Sequence, residues 1–258
     1  MLLPRVLTGA VLILSVYLLV FYGNPLLFSL VVAAAILLSL REFYALLMPQ
    51  GPRSLKYLGM LLAPSLALLA YLGREGFYPP LLALGSMALF TLALRAKALK
   101  EAGFSLLGVL YLGLLLSHLV MMRRMGPGAV FLLFLLTWAQ DVGSYLGGTW
   151  MGRWKLSPNL SPGKTVEGFI CGILLALMTA VITQGIWLPG LSTPRRLILA
   201  GTLALVGPLG DLFESMIKRA AGVKDSGRLF PGHGGLLDRL DSLIFTAPFA
   251  YYYLNLTL

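Results

Sequence analysis

LLFSLVVAAAILLSLREFYALL, residues 26–47, holds no charged residue until Arg41 and Glu42. A helix that crosses a bilayer needs about 20 mostly apolar residues. It must also satisfy every backbone N–H and C=O internally, because lipid offers no partners. This stretch meets the length, and it ends in the turn formers Pro49 to Pro52. Its Arg41-Glu42 pair reads as an interfacial ion pair, with a contact to a polar site as the lesser alternative. Working outward, eight further runs read the same way: 6–22, 57–73, 79–96, 104–122, 128–148, 167–188, 196–217 and 236–255. Between them fall Gly23-Asn24-Pro25, Pro79-Pro80 and Gly126-Pro127-Gly128, which break helices.

The fold class is therefore an all-α integral membrane protein of about nine transmembrane helices. Composition agrees. Hydrophobic residues make up 58% of the 258 positions and charged residues 12%, against about a quarter charged in soluble domains. The first run follows a lone Arg5 and has no small-residue cleavage site, so it reads as a retained helix rather than a signal peptide. Cys171 is a single cysteine inside an apolar run and reads as a small buried hydrophobe. The net charge of +10 lies in short connections rather than in a basic stripe, which excludes nucleic acid as a partner.

Charge also orients the chain. With the N-terminus cytoplasmic and the C-terminus outside, 15 of the 20 basic residues lie inside. Short loops make that bias meaningful. Seven of the ten acidic residues lie after position 140, and all seven fall at or near the cytoplasmic side. Acids in membrane spans are costly and mark function. Residues 1–125 thus read as a transmembrane scaffold of five spans. Residues 126–258 read as the catalytic part, within one integrated membrane domain.

Three polar stretches carry the chemistry. In TWAQDVGSYLGGTWMGRWKLSPNLSPGKTVEG, residues 137–168, Asp141 precedes a glycine-rich segment with Lys164 and Ser161. SPGKT resembles the tail of a Walker A loop, but Pro158 stands where its first glycine belongs and no strand is expected before it. A looser reading keeps basic side chains and turn amides for phosphate. The alternative is that Thr165 or Ser161 simply caps the next helix. In GPLGDLFESMIKR, residues 207–219, Asp211, Glu214, Ser215 and Lys218 share one helical face. A water-facing stripe of i,i+4 pairs is the bland reading, and a stripe facing protein or an aqueous cavity the functional one.

The third stretch is KDSGRLFPGHGGLLDRLDS, residues 224–242. Asp238, Asp241 and Ser242 share a face, and Gly232, Gly234 and Gly235 permit close approach of a ligand. The helix that follows offers free N–H groups to an anion. His233 reads as a phosphate contact or proton carrier, or as a residue holding the turn. Carboxylate oxygens without a Cys/His cluster suit Mg²⁺. Mg²⁺ beside lysines and arginines is the equipment of phosphoryl or nucleotidyl transfer.

Residues 215–241 then become specific. Ser215, Lys218-Arg219, Lys224-Asp225, His233-Gly234-Gly235 and Asp238-Arg239-x-Asp241 stand at spacings that resemble the signature of the phosphatidate cytidylyltransferases, the CDP-diacylglycerol synthases. The LSPNLSPGKTVEG stretch and Asp141 resemble that family too. The resemblance covers residues 137–242 specifically and the first five spans only in layout.

It implies a multi-pass protein of the cell inner membrane. Its cytoplasmic-face site joins CTP to phosphatidate with Mg²⁺, and a second cation is an open question. It implies Asp211 and Asp238 on metal, with Asp141 and Asp241 as further ligands or their support. It implies Lys164, Lys218, Arg219, Lys224 and Arg228 on phosphates, joined by Ser161, His233 and Arg239 as substrate contacts. Gly234 and Gly235 would lie against the nucleotide, and Ser215 on substrate or metal. A homodimer is suggested by the family alone, and Gly168 and Gly172 form a weak helix-contact signal. CDP-alcohol phosphatidyltransferases differ, since this chain has no Asp-Gly pair. A transporter would want an inverted repeat and acids at midplane. Another transferase acting on a lipid phosphate stays as the alternative.

Overall fold

The computed structural model describes residues 3–227, 229 and 234–258. Among them the chain forms nine helices, one at each apolar run. These are α1 Leu3–Phe21, α2 Pro25–Leu47, α3 Arg53–Tyr71, α4 Tyr78–Ala96, α5 Leu99–Met125, α6 Pro127–Met151, α7 Val166–Ile182, α8 Thr193–Ala220 and α9 Leu237–Thr257. Six are long and apolar enough to cross a membrane: α2, α3, α4 (extended by a turn from Glu75), α5, α6 and α8. The chain is a multi-pass membrane protein. Helix α7 is apolar but only 17 residues long. Helix α9 carries Asp238, Arg239 and Asp241 in its first turns and three tyrosines later, which lowers its hydropathy.

The breakers act where the sequence places them. Asn24 caps α2 by accepting from Leu27 N at 2.7 Å, with Pro25 at the first helical position. Pro127 opens α6 in the same way. A π-helical stretch over Val109–Leu114 interrupts α5.

One expectation is corrected. The segment after α6 is not all helix and loop. Strands β1 Lys155–Ser157 and β2 Ser161–Thr165 pair antiparallel around a turn at 158–160, with Lys155 opposite Thr165. Pro158 and Asn159 supply the turn chemistry. A strand does precede SPGKT, but SPGKT is itself extended rather than a phosphate-wrapping loop, so a Walker A site stays rejected.

Two compact units make up the chain: residues 1–124 with 220–239, and residues 125–219 with 240–258. In the first, Tyr44 is the polar pin. Its hydroxyl reaches Ser105 O at 3.1 Å, and Ser105 Oγ donates to Leu55 O at 2.9 Å, tying α2, α3 and α5 together. In the second, α6 crosses α7 at glycines. A side chain at Gly143 would meet Gly172 Cα at 2.9 Å, and one at Gly168 would meet Gly148 Cα at 3.0 Å. The Gly168/Gly172 signal is thus spent inside the chain, where small residues let backbones approach. Gly210 on α8 lies under the backbone of Asp241 on α9, with 3.2 Å from an added Cβ to the Asp241 carbonyl carbon. That contact draws the next residue, Asp211, toward Asp241.

Candidate active site

In the second unit, Asp211, Glu214 and Asp241 each place a carboxylate oxygen within 4.8 Å of the other two. The first two stand one turn apart on α8, and Asp241 comes from α9. Glu214 is fully buried, and the two aspartates are half-buried. Such crowding of like charge is relieved by cations or by protons. Two lysines answer it. Lys164 Nζ lies 2.6 Å from Asp211 Oδ2, and Lys218 pairs with Glu214 one turn along α8. The polar stripe therefore faces protein, not water: its i,i+4 pair exists, but on a buried carboxylate.

The three groups offer oxygen donors only, the kind that suits a hard divalent cation.

Strand β2 delivers Lys164. Side chains alternate along a strand, so Lys164 and Thr165 face opposite ways. Thr165 turns to cap α7, accepting from Gly168 N at 3.1 Å. The capping alternative is thus realised at Thr165, while Lys164 reaches α8 from the other face. Ser215 Oγ lies 3.4 Å from Asp211 Oδ1, and Arg219 Nε donates to Leu160 O at 3.3 Å in the hairpin turn.

The first unit holds the other polar constellation. Asp238 Oδ2 accepts from Ser226 N at 2.9 Å, Ser226 Oγ at 2.8 Å and Gly235 N at 2.8 Å. Glu42, from α2, accepts from Leu236 N at 3.0 Å through Oε1 and from Leu237 N at 2.8 Å through Oε2. The expectation of free N–H groups at this helix start is overturned, because protein carboxylates occupy them. The Arg41-Glu42 ion pair is corrected too: among the described residues no ion pair joins them, and Glu42 binds Ser226, Leu236 and Leu237 instead.

Two comparisons bear on this geometry. The model of the cytidylyltransferase family matches residues 3–257, nearly the whole chain. The chain belongs to the cytidylyltransferase family. Among its relatives is a phosphatidate cytidylyltransferase of Synechocystis, 36% identical over 90% of this chain and 89% of that protein. The Bacillus subtilis phosphatidate cytidylyltransferase is 41% identical over 60% of this chain and 59% of that protein. An Escherichia coli protein called uncharacterized protein YnbB is 46% identical over 50% of this chain.

For this cytidylyltransferase family member, several expected site residues can now be placed. Asp211 and Asp241 come together with Lys164, Lys218 and Ser215 around them. Asp238 and Gly235 belong to the first unit, where they hold the turn at Ser226. Gly234 takes φ +78° beside them. Lys224, Asp141 and Arg239 are exposed, and Ser161 lies in β2. Arg228 and His233 lie outside the described residues. Two participants had not been assigned to metal or substrate. Glu214 joins the carboxylate group, and its i,i+3 spacing from Asp211 was the available signal. Glu42 binds a turn 184 to 195 residues away, a separation no local pattern reveals.

Proposed function

We propose that the chain transfers the cytidylyl group of CTP to phosphatidate, giving CDP-diacylglycerol and pyrophosphate at the cytoplasmic face of the membrane. An oxygen of the lipid phosphate bonds to the α-phosphorus of CTP, and the bond from that phosphorus to the β-phosphate oxygen breaks in line. The attacking oxygen's lone pair becomes the new bond, and the pair of the broken bond leaves on the pyrophosphate oxygen. No side chain need take a proton, because a phosphate monoester is already ionised near neutral pH.

The observation that carries this reading is the carboxylate group of Asp211, Glu214 and Asp241 with Lys164 and Lys218 on it. Mg²⁺ held there would neutralise charge on the phosphates that react. The chain's own residues do the rest. Lys164 and Lys218 orient triphosphate oxygens beside the metal ligands. Lys224 and Arg239, both exposed, offer further positive charge to phosphate. Asp238 holds Ser226 and Gly235 through Oδ2 and adds negative charge at the start of α9, one helical turn before Asp241. Positioning and electrostatics are the main source of rate in this chemistry.

All nine helices span the bilayer in this reading, with the N-terminus cytoplasmic and the C-terminus outside. The basic bias of the loops supports that orientation. It puts the polar ends of α6, α8 and α9 where a water-soluble nucleotide and a membrane lipid can meet.

The test is direct. Purified protein in phosphatidate-containing micelles, given radiolabelled CTP and Mg²⁺, should form labelled lipid and pyrophosphate in equal amounts, and chelation should stop it. Absence of labelled lipid, or transfer to another acceptor in preference to phosphatidate, would sink the assignment.

A further inference from the structure

Ser226 and residues 235–237 are held by two carboxylates from different parts of the chain. Ser226 Oγ stands 2.8 Å from Asp238 Oδ2 and 3.2 Å from Glu42 Oε2. A hydroxyl has one proton, so it serves one carboxylate at a time and sits between them. Backbone amides complete the clamp: those of Ser226 and Gly235 on Asp238, and those of Leu236 and Leu237 on Glu42.

The glycines are cut to this carboxylate. A Cβ at Gly227 would stand 2.6 Å from Glu42 Oε1, and a Cβ at Gly235 would stand 2.6 Å from Glu42 Cδ. Either side chain would displace the Glu42 carboxylate. At Gly235 the space beside the backbone is filled by Glu42 and Ser226. A carboxylate at a helix start is also favoured by the amide dipoles there, and hydrogen bonds to an ionised acceptor are the stronger kind.

The clamp has cationic neighbours. Lys224 lies two residues before Ser226, Arg239 directly follows Asp238, and both are exposed. Their backbone positions follow from where Ser226 and the α9 start are held. We propose that Glu42 is a positioning residue for substrate binding: it docks Ser226 and the start of α9 on α2 and so sets where Lys224 and Arg239 meet phosphate. This rests on the proposed reaction for what those side chains bind.

The test uses the full chain in lipid nanodiscs with Glu42→Ala, Glu42→Gln and Ser226→Ala. Three readouts separate the roles: steady-state kinetics over CTP, the Mg²⁺ midpoint, and amide hydrogen exchange at residues 235–237 without substrate. Glu42→Ala should raise the KM for CTP by about ten- to a hundredfold, as expected when binding groups are misplaced by an ångström or so. Exchange at 235–237 should accelerate, and the Mg²⁺ midpoint should stay put.

Glu42→Gln keeps the length and one acceptor oxygen, and should fall between. Unchanged exchange would show that the clamp does not hold residues 235–237. Faster exchange with an unchanged KM would make Glu42 merely structural. Either result overturns the proposal. Should Glu42→Ala not fold, Glu42→Gln and Ser226→Ala decide, since normal KM and exchange in both would be equally fatal. Exchange is read without turnover, so it judges the clamp even if the unaltered protein makes no CDP-diacylglycerol. That failure would count against the reaction instead.

Discussion

Lys164 Nζ stands 2.6 Å from Asp211 Oδ2 and 3.5 Å from the Pro208 carbonyl oxygen, joining strand β2 to the middle of α8. A lysine held so, about a quarter exposed, is a fixed charge beside the carboxylate group. Lys164→Met should lower kcat/KM by about a hundredfold, the scale for removing one preorganised electrostatic contact. Most of the loss should lie in the KM for CTP, measured at saturating Mg²⁺. Unaltered kinetics would take Lys164 out of the site.

The carboxylate group makes its own prediction. Asp211→Asn and Asp241→Asn each remove a ligand oxygen's charge while keeping shape. Each should raise the Mg²⁺ concentration for half-maximal turnover by about tenfold or more, since metal sites lose at least that for weaker support. Isothermal titration with Mg²⁺ gives the same comparison without turnover. A midpoint that stays fixed in both variants would place the metal elsewhere.

Glu214 should matter for stability as well. It has no exposed surface, and its partner Lys218 is only 14% exposed. Glu214→Gln takes away that ammonium's direct partner in a largely buried setting. Breaking one side of a buried pair costs about 3–5 kcal/mol. A clear fall in the unfolding midpoint in detergent should follow, and Glu214→Gln with Lys218→Met should recover much of it. If the double variant is no more stable than the single one, the pair is not the cause.

Much of this architecture was legible because apolar length and turn chemistry are local. All nine runs became helices, and Asn24, Pro25 and Pro127 sit at helix starts as such residues do. The shared face of Asp211, Glu214 and Ser215 follows from helical period alone. The hairpin at 155–165 was not legible: SPNLSPGKT has little of the alternation that signals a strand, and its two strands are short. Glu42 was hidden for another reason. Its partners are backbone amides far along the chain, and an amide leaves no mark in the sequence. The nearby Arg41 offered a simpler local partner that the fold does not use. Gly168 and Gly172 were readable as a contact surface, yet the partner helix, α6, emerges only from the structure.

Two glycines give the last prediction, because both sit in polar motifs and read alike in sequence. A Cβ at Gly163 meets nothing within 4 Å, whereas one at Gly235 would run into Glu42 and Ser226. Gly163→Ala should leave activity within about twofold, as surface substitutions away from special features do. Gly235→Ala must push Glu42 or the turn aside, and its KM for CTP should rise severalfold with an unfolding midpoint lowered as well. The two variants are compared by kinetics and thermal unfolding under identical conditions. If Gly163→Ala proves the worse, substrate phosphate lies against the hairpin backbone at 163. The tight fit around Gly235 would then be a packing detail with no bearing on binding.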